Sequence, residues 1–166
     1  LNTRKELTDT ITSYMGGRCA EELFFDDIST GASSDIQQAT RIAKDMVTIY
    51  GMSELGPVQY DSGSHSVFLG RDYNSPSNAS SQVAYEIDIE VRKIIDHCHE
   101  YAKEIIESRR DELIKIAEAL IANETLTAEE IQDVLDDKLV VRDGKLVSSK
   151  EEIVTDINTD DTNKAE

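Results

Sequence analysis

A heptad repeat of apolar residues is the feature of this sequence that most constrains its fold. Between Ser81 and about Ser108, apolar side chains are spaced alternately by three and four positions: Ala84, Ile87, Val91, Ile94, Cys98, Tyr101 and Ile105. This spacing places all seven on one face of an α-helix, where they form a seam that can pack along another helix. The sequence therefore predicts a long helix here with at least one helical partner.

Other segments carry similar helical periods. The predicted helices cover residues 4–24, the stretch from Ser34 to Gly51, about 111–122, and a short segment that begins at Thr127. Eight glycines and two prolines in 166 residues are few, which argues against sandwiches and barrels. We therefore expect a mainly α, multi-helical chain, with one possible short β-hairpin near residues 58–69.

Local signals mark where some of these helices begin. Ser34 with Gln37, and Thr127 with Glu130, have the spacing of capping boxes. Gly16-Gly17 interrupts the first helix, and a close approach by another backbone would offset the cost of these glycines.

Residues 143–166 lack any apolar period and carry seven acidic residues against three lysines. The sequence predicts a helical portion over 1–142 and an acidic, disordered tail over 143–166.

Charge and composition exclude several classes of partner. The chain has 34 acidic and 17 basic residues, and its net charge of −17 repels phosphate backbones, so no nucleic-acid partner is expected. No run of about 18 apolar residues occurs, so no membrane contact is expected of this segment. Cys19 and Cys98 form no CxxC pair and are expected to be reduced packing residues, with a disulfide as the alternative. Because the chain begins at Leu1 rather than Met, we expect it to be part of a longer polypeptide.

Catalytic motifs are absent from the sequence. Its three histidines are His65, His97 and His99, and none belongs to an HExxH motif. His97 and His99 lie two positions apart on a predicted helix, so they point to nearly opposite sides and cannot share one metal ion. No GxSxG elbow and no phosphate-binding glycine loop is present. We therefore expect no catalytic residue in this chain itself.

Asp35 is the residue with the most informative position. It lies in the first turn of a predicted helix, directly after the small-residue loop Ser29–Ser34. The helix dipole alone favours a carboxylate there, which is an adequate structural explanation. A carboxylate displayed in this way also suits a metal ligand supplied to a site built elsewhere. The residues by themselves leave both interpretations open.

Two segments resemble motifs of a known family. Tyr14–Glu22 resembles the YxGGRxAEE segment of the FtsH family, membrane-anchored ATP-dependent zinc metalloproteases, and Ser29–Thr40 resembles that family's STGAxxDxxxAT segment. Further blocks follow in the same order, so the resemblance covers about residues 4–136. It implies that this chain is the helical C-terminal portion of an FtsH-type peptidase domain.

The resemblance also implies a function. Family members form hexameric rings that degrade unfolded and membrane proteins. We expect the complete protein on the cytoplasmic side of a bacterial cell membrane, with an organelle version as the alternative. Two histidines of an HExxH helix and a distant aspartate hold their zinc, and Asp35 matches that aspartate. The HExxH helix and the module of the AAA class that binds ATP are absent here, so we expect them upstream and expect this piece to be inactive alone. The alternative is a non-catalytic helical interaction module that retains the family scaffold.

Overall fold

The computed structural model describes residues 1–25, 27–60 and 81–150. Within these ranges the structure contains helices α1 (Arg4–Phe24), α2 (Ser33–Thr48), α3 (Ser81–Ser108), α4 (Arg110–Asn123) and α5 (Ala128–Leu135), a 3-10 turn at Thr30–Ala32, and strands β1 (Leu139–Arg142) and β2 (Lys145–Ser148). The mainly α prediction is confirmed. The chain divides into two compact units, Leu1–Ser108 and Arg109–Glu166. None of the described helices is long and apolar enough to cross a membrane.

The first unit is built by α1, α2 and α3, which pack on one another in all three pairs. Their buried side chains form one cluster: Ile11, Met15, Cys19, Ala39, Ala43, Met46, Cys98 and Ala102. The two cysteines in this cluster are free and fully buried, as expected of packing residues. Burial raises the pKa of both thiols, so they stay protonated and unreactive at neutral pH.

The predicted seam of α3 is correct over its first five residues, Ala84 to Cys98. Ile87 and Cys98 are buried, but Tyr101 is 47% exposed and Ile105 is 38% exposed. Ala102 and Ile106 pack against the core in their place. The physical reason is that a straight helix has 3.6 residues per turn, so a strict heptad drifts by about 20° per repeat away from a fixed contact face.

The start of α2 also differs from the prediction. The capping box predicted for Ser34 and Gln37 is wrong, because the 3-10 turn runs directly into α2 and Ala32 occupies the N-cap position without a side-chain bond. The capping box of α5 is confirmed: the Glu130 backbone N–H donates to Thr127 Oγ1 at 3.2 Å, and the Thr127 N–H donates to Glu130 Oε2 at 2.7 Å.

The two glycines of α1 also differ from the prediction. An added Cβ at Gly16 or Gly17 would meet no described atom within 4 Å, so the expected close backbone approach is not found there.

The second unit packs α4 against α5 and against a β-hairpin. β1 and β2 are antiparallel and are joined by Asp143-Gly144, both with positive φ (51° and 72°), as a two-residue type I′ turn requires. The tail predicted over 143–166 therefore begins too early, since its first six residues form this turn and β2. Residues 151–166 lie outside the described residues. Of the hairpin predicted near 58–69, residues 58–60 are not in a strand and the remainder is also outside the described ranges.

Candidate metal-ligand site around Asp35

The loop that leads into α2 is held by the carboxylate of Glu21, in the last turn of α1. The Ser29 backbone N–H donates to Glu21 Oε2 at 3.2 Å, and the Ser29 hydroxyl donates to Glu21 Oε1. The same hydroxyl accepts the Gly31 N–H at 3.0 Å, which closes the 3-10 turn. These bonds hold the pKa of the Glu21 carboxyl below its ordinary value, with the Ser29 hydroxyl as the main cause. The carboxylate therefore stays charged and fixes where α2 begins.

The neighbouring carboxylate, Glu22, joins α1 to α3. Glu22 Oε1 accepts from Arg18 Nε at 2.9 Å, and Glu22 Oε2 lies 3.0 Å from His99 Nε2. All three side chains are half-buried, which shields the charges from solvent more than at a fully exposed site. His97 is exposed on another side of α3, so the two histidines do not converge on one position, as the sequence predicts.

Asp35 is the third residue of α2 and is half-buried. The first turn of a helix presents unpaired N–H groups and a partial positive charge, which interact favourably with a carboxylate. Within the described part of the chain, no hydrogen bond or ion pair joins this carboxylate to another side chain. No group of three His, Cys, Asp or Glu side chains among these residues could hold a metal ion. Asp35 can therefore supply one ligand to a site, but the described residues do not complete one.

The segment that follows α2 is held by another carboxylate, Glu90 of α3, which is only 6% exposed. Glu90 Oε2 accepts the Glu54 backbone N–H at 3.1 Å, and Glu90 Oε1 accepts from Lys93 Nζ at 2.7 Å. The hydrogen bond from Lys93 is the main reason that the pKa of Glu90 lies below its ordinary value. The segments before and after α2 are thus each held by an ionised side chain of a neighbouring helix.

This contact makes stability depend on pH. Because the pKa of Glu90 is lowered on folding, its contribution is complete above its unfolded value of about 4.5 and is lost as pH falls through the lower folded value. We expect Glu90→Gln to lower the free energy of unfolding by about 1–2 kcal/mol at pH 7, and this difference from wild type to shrink below pH 4.5. Denaturant melts between pH 3 and 7 measure it, with Glu86→Gln on the same helix as control. A difference that stays constant with pH would contradict the assignment.

Sequence reasoning missed the roles of Glu21, Ser29 and Glu22. Glu21 and Ser29 lie eight positions apart in different elements, and Glu22 and His99 are separated by 77 positions. Neither spacing is a local pattern. The only signal that could have singled them out is their membership of the segments Tyr14–Glu22 and Ser29–Thr40.

Comparison with known proteins shows which family this chain belongs to. Residues 1–134, which include α1, the 3-10 turn, α2 and α3, match the sequence model of peptidase family M41. The chain belongs to peptidase family M41. Two relatives of this M41 chain are named ATP-dependent zinc metalloprotease FtsH. One, from Acholeplasma laidlawii, is 53% identical over 131 residues, which are 79% of this chain and 20% of the relative. The other, from Bacillus subtilis, is 52% identical over 136 residues, which are 81% of this chain and 21% of the relative.

These matches confirm the resemblance to the FtsH family. The M41 chain spans about a fifth of the length of the curated relatives that it matches. The hairpin β1–β2 lies beyond the 134 residues that the family model covers.

Proposed function

We propose that this chain is the C-terminal part of the peptidase domain of an ATP-dependent zinc metalloprotease, and that Asp35 is its third zinc ligand. The observation that carries the proposal is the half-buried carboxylate of Asp35 at the start of α2, without a partner among the described side chains, in a chain about 50% identical to zinc metalloproteases. A carboxylate oxygen is an ordinary zinc ligand.

The donor chemistry of the chain fits this role. A catalytic zinc site uses three protein ligands and leaves one position for water. The zinc would polarise that water and make it a better nucleophile. Asp35 offers one such ligand, and the Glu21–Ser29 contact fixes the loop from which α2 begins. We expect the two histidines and the general base to come from an HExxH helix upstream of Leu1, and ATP to be bound by an upstream module. The chain alone is then inactive.

The complete protein has further expected properties. As in FtsH-type enzymes, we expect it to act on protein substrates, to assemble as a homo-hexamer and to work on the cytoplasmic side of a bacterial membrane. In that assembly the helices of this chain would pack the peptidase ring.

The alternative, a non-catalytic interaction module, depends on a free apolar seam on α3. Val91, Ile94 and Cys98 of that seam already pack in the core of the first unit. Its exposed residues are Tyr101 and Ile105. Because these seam residues are buried within the chain, they are not free to bind a partner helix, which favours the protease over the interaction module. The residues encoded directly before Leu1 also discriminate, because the protease requires an HExxH motif there.

Zinc binding tests the proposal. We expect calorimetric titration of the isolated chain with Zn²⁺ to give no stoichiometric site of submicromolar affinity, since a single carboxylate is a weak zinc ligand. The purified complete protein is expected to retain about one zinc per subunit and to cleave an unfolded protein substrate when ATP is present. A tight one-to-one zinc site in the isolated chain, or a complete protein without zinc, would refute the assignment.

A further inference from the structure

The last turn of α1 is held in place mainly by polar contacts. Cys19 is the last buried residue of this helix, and residues 20–24 are all partly exposed. Gly16 and Gly17 come directly before this turn, and glycine makes a helix less stable than alanine does. The position of the last turn therefore depends on its polar contacts more than the positions of the earlier turns do.

The contact between Glu22 and His99 fastens this turn to α3. Glu22 Oε2 lies 3.0 Å from His99 Nε2, and because a carboxylate only accepts hydrogen bonds, the imidazole donates from Nε2. Arg18 Nε donates to the other carboxylate oxygen at 2.9 Å. The side chains of Glu22 and His99 are only 27% and 26% exposed, so water competes less for their hydrogen bond than at an open surface.

The same turn carries the carboxylate that holds the loop before α2. Glu21 accepts hydrogen bonds from the backbone N–H and the hydroxyl of Ser29. The apolar side chains of this loop anchor it little, since Phe25 is 66% exposed and Ile28 is 50% exposed. A shift of the last turn of α1 would therefore displace Ser29, and with it the chain that leads to Asp35.

We propose that Glu22 and His99 are positioning residues of the metal site. Through the last turn of α1 they fix the loop that leads into α2, and this loop in turn orients Asp35. The effect on zinc rests on the proposed role of Asp35 as a ligand, whereas the effect on the loop does not. The inference makes a histidine of α3 part of the support of a ligand on α2.

Amide hydrogen exchange in this chain tests the effect on the loop. His99→Leu keeps most of the side-chain bulk but removes the donor. We expect it to speed exchange of the Ser29 and Gly31 amides at least about fivefold, because both are hydrogen-bonded within the loop. Exchange in the middle of α2 should change by less than about twofold. His97→Leu is the matched control, because His97 is exposed on the same helix, and it should leave both amides unchanged.

Zinc retention in the complete protein tests the effect on the ligand. We expect His99→Leu to speed the loss of zinc to a chelator about tenfold, at the lower end of the effect of groups that orient metal ligands. His99→Gln should resemble wild type in both measurements, since its amide N–H can donate from nearly the position of Nε2. Glu22→Met removes the acceptor of the same hydrogen bond. It should reproduce the changes of His99→Leu and replaces that variant if it does not fold.

The outcomes separate this inference from the proposed function. Lower stability in urea, with unchanged loop exchange and unchanged zinc loss in His99→Leu, would show that the contact only joins α1 to α3 and would overturn the inference. Equal effects of His99→Gln and His99→Leu would also overturn it, because donation to Glu22 would not be the cause. Full zinc retention in Asp35→Asn, measured in parallel, would refute the proposed function and the zinc part of this inference with it, whatever the loop exchange.

Discussion

Asp35→Asn in the complete protein is expected to reduce both zinc retention and proteolysis by at least about 100-fold. The amide keeps the size and shape of the side chain but lacks the negative charge that, in the proposed role, would bind Zn²⁺. Loss even of groups that only orient metal ligands costs about 10- to 100-fold in metal affinity, and a direct ligand should cost no less. The measurements are zinc content after dialysis against a chelator and the rate of cleavage of an unfolded protein substrate.

Two controls separate metal binding from folding. Asp88→Asn removes the same charge at an exposed position of α3 and should leave zinc and activity unchanged. The stability of Asp35→Asn should fall by no more than about 1 kcal/mol, because only the favourable interaction with the helix dipole is lost. If cleavage persists at the wild-type rate in Asp35→Asn, Asp35 serves only to stabilise the start of α2.

Ile11→Ala is expected to cause a large loss of stability in the first unit. Ile11 is 0% exposed and lies in the cluster formed by α1, α2 and α3. Truncation of a fully buried isoleucine to alanine costs about 2–5 kcal/mol, because apolar transfer is lost and a cavity remains. Domains of this size have only about 5–15 kcal/mol in total, so a large share of the stability of this unit would be lost.

Urea denaturation followed by circular dichroism measures this effect. Ile11→Val, which removes one methylene, is the matched control and should cost about 1 kcal/mol. Ile121→Ala provides a second control, because Ile121 is an exposed apolar residue of α4. A cost below about 1 kcal/mol for Ile11→Ala would mean that the core can collapse around the missing side chain or that Ile11 is not in it.

The helices were predictable because their signals are local. Apolar spacing alone located α1 and α3, and the Thr127–Glu130 pair located the start of α5. The start of α2 was not predictable in the same way, because Ser29 adopts its capping role through Glu21 of another helix. The hairpin β1–β2 did carry a local signal, Asp143-Gly144 between two short apolar runs, and the acidic composition of the tail obscured it.

The candidate site was predictable only in part. The residues alone left Asp35 open between a capping role and a ligand role, and the family resemblance favoured the ligand. The contacts of Glu21 with Ser29, of Glu22 with His99 and of Glu90 with the Glu54 amide join different elements, so no period or short motif specifies them. Their chemistry becomes evident only when α1 and α3 are packed against α2.

The attachment of the segments on both sides of α2 has a consequence for the proposed metal site. The helix is tethered through Ser29 on one side and through the Glu54 amide on the other, and each tether ends on a carboxylate of a different neighbour. Ser29 and Glu54 lie in the segments before and after α2, so these contacts restrain the chain on both sides of the helix. Under the proposal that Asp35 binds zinc, the contacts that position its helix are already made by the described residues, so metal binding would require no folding of this part of the molecule.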